Sequence, residues 1–171
     1  MNLTKEYLIE INACQPGVDW FTKNFDDNAN LKDVFIKLVD VGKHDYCKWL
    51  LRYDKRIDLK IKINLAIFSA ELVLPIWLKN NPKDDRPQKA IEAAKKCVEN
   101  PTKENKDAAT AAGAAAAYDA AYAAAYADYA AAAYAAADAA AAYAYARKDT
   151  WLKIIDKLFE MLNQKKGNKW N

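Results

Sequence analysis

Apolar residues recur at spacings of three and four along most of the chain, and this period predicts amphipathic α-helices. One such stripe lies between Asn30 and Gly42, and its apolar members are Leu31, Val34, Phe35, Leu38 and Val39. Asn30 is predicted to cap this helix and Gly42 to end it. Thr4 is predicted to cap an earlier helix, which Pro16-Gly17 then breaks, and the segment DYCKWLLRY predicts a further amphipathic helix.

The longest hydrophobic helix is predicted from Asp58 to Asn80. Its apolar residues repeat at three and four: Leu59, Ile63, Ala66, Ile67, Ala70, Val73, Leu74 and Trp77. Pro75 lies inside this helix and is expected to kink it near Glu71, because a mid-helix proline removes a backbone hydrogen bond and clashes with the carbonyl four residues back. Asp85 is predicted to cap the next helix, with Pro87 in its first turn.

A tract dominated by alanine follows a helix start predicted at Thr102. Between Ala108 and Ala146, 27 of 39 residues are alanine and seven are tyrosine. Alanine has the highest helix propensity, so this tract is predicted to be helical. It has no glutamate–lysine pairs to support a solvated single helix, so it is expected to pack. A straight helix of this length would extend about 58 Å, whereas the whole domain has an expected radius of gyration near 15 Å, which implies a fold-back or an elongated protein.

The tyrosines of the tract indicate where it breaks. At 100° per residue, one face carries Tyr118, Tyr122, Tyr126 and Tyr129. Tyr134 and Tyr145 fall on the opposite face, so a turn is expected between Tyr129 and Asp138. Core packing is the favoured role for the first four tyrosines, and a partner interface or a stacking pocket for a base is the alternative.

These patterns together predict an all-α protein: a single-domain helical bundle with closely packed alanine-rich helices. Its parts are mixed amphipathic helices over 1–101, the alanine- and tyrosine-rich tract over 102–146, a C-terminal amphipathic helix over 147–166 and a tail over 167–171. A length of 171 residues is typical of one domain.

Charge changes this picture only modestly. The net charge is +3, from 26 basic and 23 acidic residues, and no dense basic stripe of the kind that nucleic-acid binding requires is present. The distribution is uneven, with 5 basic and 8 acidic residues up to Asp45 and then 12 basic and 7 acidic residues up to Asn100. Such asymmetry can steer a charged partner.

Cysteine usage and the N-terminus indicate the compartment. Cys14, Cys47 and Cys97 are widely spaced and odd in number, as is typical of reduced cytosolic thiols, and all three are predicted to be packing residues. The N-terminus has no apolar stretch of the kind found in secretory signals. The longest apolar run is too short and too polar for a membrane span. A cytoplasmic location without a membrane partner is therefore expected.

No pattern predicts catalysis. His44 is the only histidine, with Cys47 three residues later and Asp40 four residues before, but zinc would need further ligands. Packing is therefore the favoured role of this group. Phosphate loops, nucleophile elbows and the common metal-binding motifs are absent from the sequence. The chain is predicted not to be an enzyme and to need no metal or cofactor.

The densest charged cluster of the middle region is Asp84, Asp85 and Arg86, beside a predicted turn. A helix cap with a local ion pair is the favoured interpretation, and a contact with a partner or an anionic ligand is the alternative. Glu71 lies in an otherwise apolar helix, so it is expected to be buried and to need a cation. Arg86 is its predicted partner.

Several of these segments resemble a known family. The stretches LAIFSAELVLPIW and DDRPQKAIEAAKKCVENPTKEN, followed by the alanine and tyrosine tract, are similar to the immunity protein family of bacterial polymorphic toxin systems. The similarity runs from about Leu65 to the end of the tract. It implies an all-helical, non-catalytic inhibitor that binds and neutralises a cognate toxin in the cytoplasm of the producing cell.

Two further functions remain open beside this one. For a toxin-binding role, charge counting offers the acidic residues Asp26, Asp27, Asp33, Asp40 and Asp45 to a basic toxin. The first alternative is a mobile-element or phage-encoded anti-defence protein that sequesters a nucleotide-like signal or inhibits a defence protein; its small anionic ligand would contact Arg86, the basic residues from Lys48 to Lys62 and the tyrosines. The second is a structural module that forms homo-oligomers.

Overall fold

The computed structural model describes residues 1–80, 82–116 and 148–167, and eight helices lie in these ranges. The helices are α1 (Lys5–Glu10), α2 (Gln15–Phe25), α3 (Leu31–Asp40), α4 (His44–Tyr53), α5 (Leu59–Asn80), α6 (Arg86–Glu99), α7 (Lys103–Ala116) and α8 (Lys148–Gly167). Two short strands, β1 (Asn2–Thr4) and β2 (Asn28–Asn30), complete the fold. The protein is therefore predominantly α-helical, as predicted.

Side chains at three predicted positions cap helices. The Thr4 hydroxyl accepts a hydrogen bond from the Tyr7 amide at 3.2 Å, and the Asn30 side chain accepts one from the Lys32 amide at 2.9 Å. The Thr102 hydroxyl accepts from the amide of Asn105 at 3.2 Å. Each side chain thereby satisfies a backbone donor that the first turn of a helix leaves without an intrahelical partner.

Two local expectations were wrong or incomplete. The proline and glycine at Pro16-Gly17 do not separate two helices but lie in the first turn of α2. A first-turn amide has no intrahelical acceptor, so proline costs little there. The strands were not predicted, because three residues, as in β2, are too few for an alternation of polar and apolar positions to indicate a strand.

The strands form an antiparallel pair in which Asn2 lies opposite Asn30 and Thr4 opposite Asn28. The chain turns into β2 through Asp26 and Asp27, which have left-handed φ values of 47° and 68°. Aspartate is among the non-glycine residues that tolerate this conformation best.

The described chain divides into two compact units. The first contains Met1–Asp58 together with the chain from Trp151 onward. Within it, α8 packs against α3: the Phe35 and Phe159 rings meet edge to face at 6.4 Å, and Lys32 pairs with Asp156 at 2.8 Å. Its largest fully buried side chains are Leu3, Phe21, Leu31, Phe35, Leu38, Ile57 and Leu158.

The second unit, Leu59–Thr150, contains α5, α6 and α7, with α6 packed against both other helices. Its core is rich in alanine: Ile63, Ala66, Ile67, Ala70, Ala90, Ile91, Ala94, Cys97 and Ala109. Small side chains allow helix axes to approach closely. The predicted long helix is confirmed as α5, and it runs through Pro75 without interruption.

The alanine tract enters the described structure only at its start. Its first residues, through Ala116, are helical in α7, as predicted. The expected turn between Tyr129 and Asp138, and the tyrosine face of Tyr118, Tyr122, Tyr126 and Tyr129, lie outside the described residues. Among helices within 1–80, 82–116 and 148–167, none is both long enough and apolar enough to cross a membrane.

Candidate functional site

A pocket of about 250 Å³ lies in the first unit, where α2 and α4 meet β1, α1 and α3. Its floor is made of buried apolar side chains from β1, α1, α2, α3 and α4: Leu3, Leu8, Phe21, Val34, Leu38 and Leu50. Apart from Leu3 in β1, these residues are inward-facing members of the apolar stripes of their helices. The pocket is therefore an open extension of the core of this unit.

Six residues border the mouth of the pocket. Three are aromatic, namely Trp20, Tyr46 and Trp49, and the others are Cys14, Gly17 and Asp45. We call this site the tryptophan pocket. Its lining is almost entirely apolar. Asp45 is the exception, because it places a carboxylate at the mouth with a side chain that is 86% exposed.

Contacts between aromatic rings hold the mouth of the tryptophan pocket. Trp20 meets Tyr46 edge to face at 6.4 Å and Phe25 at 6.0 Å. Trp49 packs against Tyr53 at 5.3 Å, and the Lys43 ammonium lies 4.9 Å over the Tyr46 ring. Such contacts add about 0.5–1.5 kcal/mol per aromatic pair beyond the burial of area. The walls are thus positioned before any ligand arrives.

Cys14 and Gly17 lie on one side of the mouth, where α2 begins. Cys14 is exposed, which corrects its prediction as a packing residue, whereas Cys47 and Cys97 are buried as predicted. A β-carbon placed on Gly17 would contact the Cys14 Sγ at 3.4 Å. Glycine therefore leaves room at this edge that alanine would occupy.

A buried carboxylate, Asp54, lies next to the helix that supplies part of the pocket floor. Its side chain has no exposed surface, and its Oδ1 accepts a hydrogen bond from the Tyr7 hydroxyl at 2.9 Å. Arg56 donates to it from its backbone amide and from Nε, both at 2.9 Å, and from Nη2 at 2.7 Å. Arg56 also donates through Nη1 to the Asn2 carbonyl.

The electrostatics of this cluster follow from its contacts. Burial by itself raises the pKa of the Asp54 carboxyl, but the hydrogen bonds from Arg56 and Tyr7 outweigh burial and hold that pKa below its ordinary value. Burial and the bond to Asp54 raise the pKa of the Tyr7 hydroxyl. The Asp54 carboxylate is therefore ionised and hydrogen-bonded to both neighbours. Such a cluster is typical of a contact that stabilises the fold.

Sequence reasoning missed the Asp54 cluster and the tryptophan pocket. The local signal for the cluster was an aspartate just after an amphipathic helix, two residues before an arginine. Nothing in that spacing indicates Tyr7, which lies 47 positions away in the chain. The pocket residues carried only the ordinary helical period.

The predicted acidic residues are distributed over several elements. Asp45 lies at the mouth of the tryptophan pocket and pairs with Lys48 at 3.4 Å. Asp27 approaches Lys5 at 3.9 Å. The other three are exposed: Asp26 in the turn after α2, Asp33 in the first turn of α3 and Asp40 at the end of α3. Of the five, Asp45 alone lines the pocket.

In the second unit, Arg86 binds Asp84 through two parallel hydrogen bonds of 2.7 Å. Asp85 occupies the N-cap position of α6 as predicted, but its carboxylate pairs with Lys89 at 2.7 Å and does not cap the backbone. The predicted local ion pair is therefore confirmed, and the predicted capping bond of Asp85 is wrong. Pro87 lies in the first turn of α6, as expected.

The predicted pairing of Glu71 with Arg86 is wrong. Glu71 is exposed and pairs with Lys95 at 2.5 Å. Lys95 lies in the middle of α6, whereas Arg86 begins that helix and is held by Asp84. The helical period around Glu71 suggested burial, but the packing of α5 against α6 leaves this side chain at the edge of their contact.

The group around His44 consists of packed side chains. The His44 ring stacks on Trp151 at 5.4 Å with an interplanar angle of 13°. The Cys47 thiol is buried, donates weakly to the Phe35 carbonyl at 4.0 Å and has a pKa raised by burial to about 12. In the part of the chain that the structure describes, no group of three or more potential ligands is placed to hold a metal ion.

The fold is that of a helical protein whose first unit contains an apolar pocket with an aromatic mouth. In comparisons with known proteins, residues 1–56 match a family model described as the YdhT N-terminal domain. This matched segment contains every residue that lines the tryptophan pocket. No curated protein and no solved structure matches the chain.

Proposed function

We propose that this chain is a non-catalytic binding protein that binds and neutralises a toxin polypeptide in the cytoplasm of the cell that makes it. The tryptophan pocket carries the proposal. Binding energy at protein interfaces concentrates in a few aromatic and apolar anchors that fill desolvated pockets. A concave apolar site bordered by Trp20, Tyr46 and Trp49 has this composition.

The resemblance of the second unit to toxin immunity proteins adds to this proposal. The motifs that carry it, from Ala66 to Ile76 and from Asp85 to Ala94, lie on α5 and α6. The YdhT N-terminal domain match lies on the first unit. In the proposed role the chain covers a functional surface of the toxin and performs no reaction of its own.

Charge supports a basic toxin. Asp26, Asp33 and Asp40 are exposed, so a basic surface can approach these carboxylates from solvent. Complementary charge of this kind raises the rate of encounter more than the final affinity. Reversal of Asp26, Asp27 and Asp33 to lysine is expected to slow association with the toxin. An unchanged association rate would contradict the proposed attraction between these aspartates and a basic toxin.

A small anionic ligand is supported less well. Arg86, the cation that such a ligand would use, already makes two parallel bonds to Asp84. Arg56 is committed in the same way to Asp54. A nucleotide that used either guanidinium would have to displace its carboxylate, whereas a polypeptide can use the apolar pocket as it stands.

The test is native mass spectrometry of the full chain after affinity capture from lysate of its own host, followed by rescue of cells that express the captured polypeptide. Retention of a toxic polypeptide that the chain neutralises is the expected result. A retained mass of a few hundred daltons would overturn the proposal in favour of a sequestering protein, and a self-complex alone would favour a structural module.

A further inference from the structure

We infer that the tryptophan pocket receives one bulky apolar side chain of the partner polypeptide, and that a lysine or arginine on the same partner segment pairs with Asp45. This inference rests on the proposed function, because it specifies the chemistry of the bound partner. The partner segment would therefore carry an aromatic or branched aliphatic anchor with a cation close to it.

The size of the pocket selects a single side chain. Its volume is about 250 Å³. Pockets that enclose drug-sized ligands and cofactors usually measure roughly 300–1,000 Å³. A nucleotide or a cofactor would therefore protrude, whereas one large side chain can be enclosed while its backbone stays outside.

The lining selects an apolar occupant. The floor consists of Leu3, Leu8, Phe21, Val34, Leu38 and Leu50, so a polar group inserted there would lose its hydration without finding a hydrogen-bond partner. An apolar side chain gains about 25 cal/mol for each Å² that it removes from water. The aromatic walls favour flat rings and branched aliphatic groups in particular.

The Asp45 carboxylate can pair with a cation beside the anchor. The Asp45 side chain is 86% exposed, and its 3.4 Å contact with Lys48 is long for a salt bridge. Such a solvated pair contributes little, so a partner cation can share the carboxylate at small cost.

The site is also positioned in advance. Trp20 is held by Phe25 and Tyr46, and Trp49 by Tyr53, all through ring contacts. Walls that need no ordering reduce the entropic cost of binding. The ordered walls therefore favour an occupant that fits the existing pocket. An occupant that had to separate the core side chains would bind less well.

The alkylation rate of Cys14 reports occupancy of the pocket. Cys14 lines the mouth and is exposed, whereas the thiols of Cys47 and Cys97 are buried. The probes are three blocked hexapeptides at millimolar concentration that pair tryptophan with lysine, tryptophan with glutamate, or alanine with lysine. Alkylation of the full chain by iodoacetamide is followed by intact mass spectrometry.

The tryptophan–lysine peptide is expected to slow alkylation saturably. The tryptophan–glutamate peptide should bind about two- to fivefold more weakly, as expected for loss of one exposed ion pair. The alanine–lysine peptide should not protect Cys14. Equal protection by the first two peptides, protection by the third, or no saturable protection by any peptide would overturn the inference.

Matched variants test the two contacts separately. Gly17→Leu fills the pocket, and Gly17→Ala, which adds a single methyl at 3.4 Å from the Cys14 Sγ, remains informative if the leucine variant fails to fold. Asp45→Lys is compared with Glu6→Lys, because both residues lie in the first turn of a helix but Glu6 does not line the pocket. Protection should fall in the first three variants and persist in Glu6→Lys.

The inference and the proposed function can fail separately. If cells that express the captured toxin are rescued as well by Gly17→Leu as by the unmodified chain, the inference is overturned and the proposed function stands. If no polypeptide is captured, the proposed function fails whatever the peptides do. Protection of Cys14 that rises with the concentration of the chain alone would assign the pocket to a second copy and overturn the inference.

Discussion

The guanidinium of Arg56 lies 4.0 Å from the centroid of the Tyr7 ring, and both side chains donate hydrogen bonds to the same oxygen of Asp54. The Tyr7 hydroxyl also accepts a hydrogen bond from the Lys55 amide at 3.1 Å. These contacts connect the turn after α4 to α1, and the bond from Arg56 to the Asn2 carbonyl extends the connection to β1. The floor of the tryptophan pocket is built on these elements, so the cluster positions the site.

Asp54 is expected to make the folded state less stable as the pH falls into the acidic range. Because its pKa is lower in the folded protein than the ordinary value of about 3.9, the folded state gains stability while the carboxyl is ionised. This contribution is present above the unfolded-state pKa and is lost as the pH falls through the folded-state pKa. Asp54→Asn should reduce the free energy of unfolding by about 3 kcal/mol at pH 7.

Urea unfolding at pH 7 and pH 3 checks this expectation. The unmodified chain should lose more stability between these pH values than Asp54→Asn loses. Asp33→Asn, which alters an exposed carboxylate, serves as the control. Equal losses in the unmodified chain and Asp54→Asn would contradict the role assigned to Asp54.

Tyr7→Phe removes one hydroxyl that both donates to Asp54 and accepts from the Lys55 amide. The loss should lower the free energy of unfolding by about 1–3 kcal/mol, because it removes a hydrogen bond to the buried, ionised Asp54 carboxylate and another from the Lys55 amide. Tyr53→Phe is the matched control, since Tyr53 is 45% exposed. It should change stability by less than about 0.5 kcal/mol. Similar effects of the two substitutions in chemical denaturation would show that the Tyr7 hydroxyl contributes nothing specific.

Glu71 is expected to couple to Lys95 and not to Arg86. Double-mutant cycles to alanine should give a coupling free energy of about 0.2–1 kcal/mol for Glu71 and Lys95, because both side chains are partly solvated. The cycle for Glu71 and Arg86 should give no coupling within error. A larger coupling in the second cycle would contradict the pairing seen between α5 and α6.

The three thiols are expected to differ in reactivity. Cys14 is exposed, the pKa of buried Cys47 is raised to about 12, and burial also raises the pKa of Cys97. Since the thiolate is the reactive form, iodoacetamide at pH 8 should modify one thiol in the native chain and all three in denaturant. Cys14→Ser should abolish the native reaction. Rapid modification of that variant would show that a buried thiol becomes accessible.

Local sequence patterns predicted the helices well because a helix is made of contacts within four residues. The stripe from Leu31 to Val39, the caps Thr4 and Asn30, and the extent of α5 all follow from spacing and from backbone donors that need an acceptor. The prediction at Pro16-Gly17 was wrong because the same pair can end one helix or begin another. Only the position of the preceding turn distinguishes the two outcomes.

The amino-acid sequence by itself determined the helical class, most helix boundaries and the burial of Cys47 and Cys97. Tertiary structure decided which residues meet: Tyr7 with Asp54, Glu71 with Lys95, Asn2 opposite Asn30, and the rings around the tryptophan pocket. The physical reason is distance along the chain. Helical periodicity shows which face of a helix is apolar, but the partner of a polar or aromatic side chain depends on how helices pack, and residues separated by tens of positions leave no local signal of their contact.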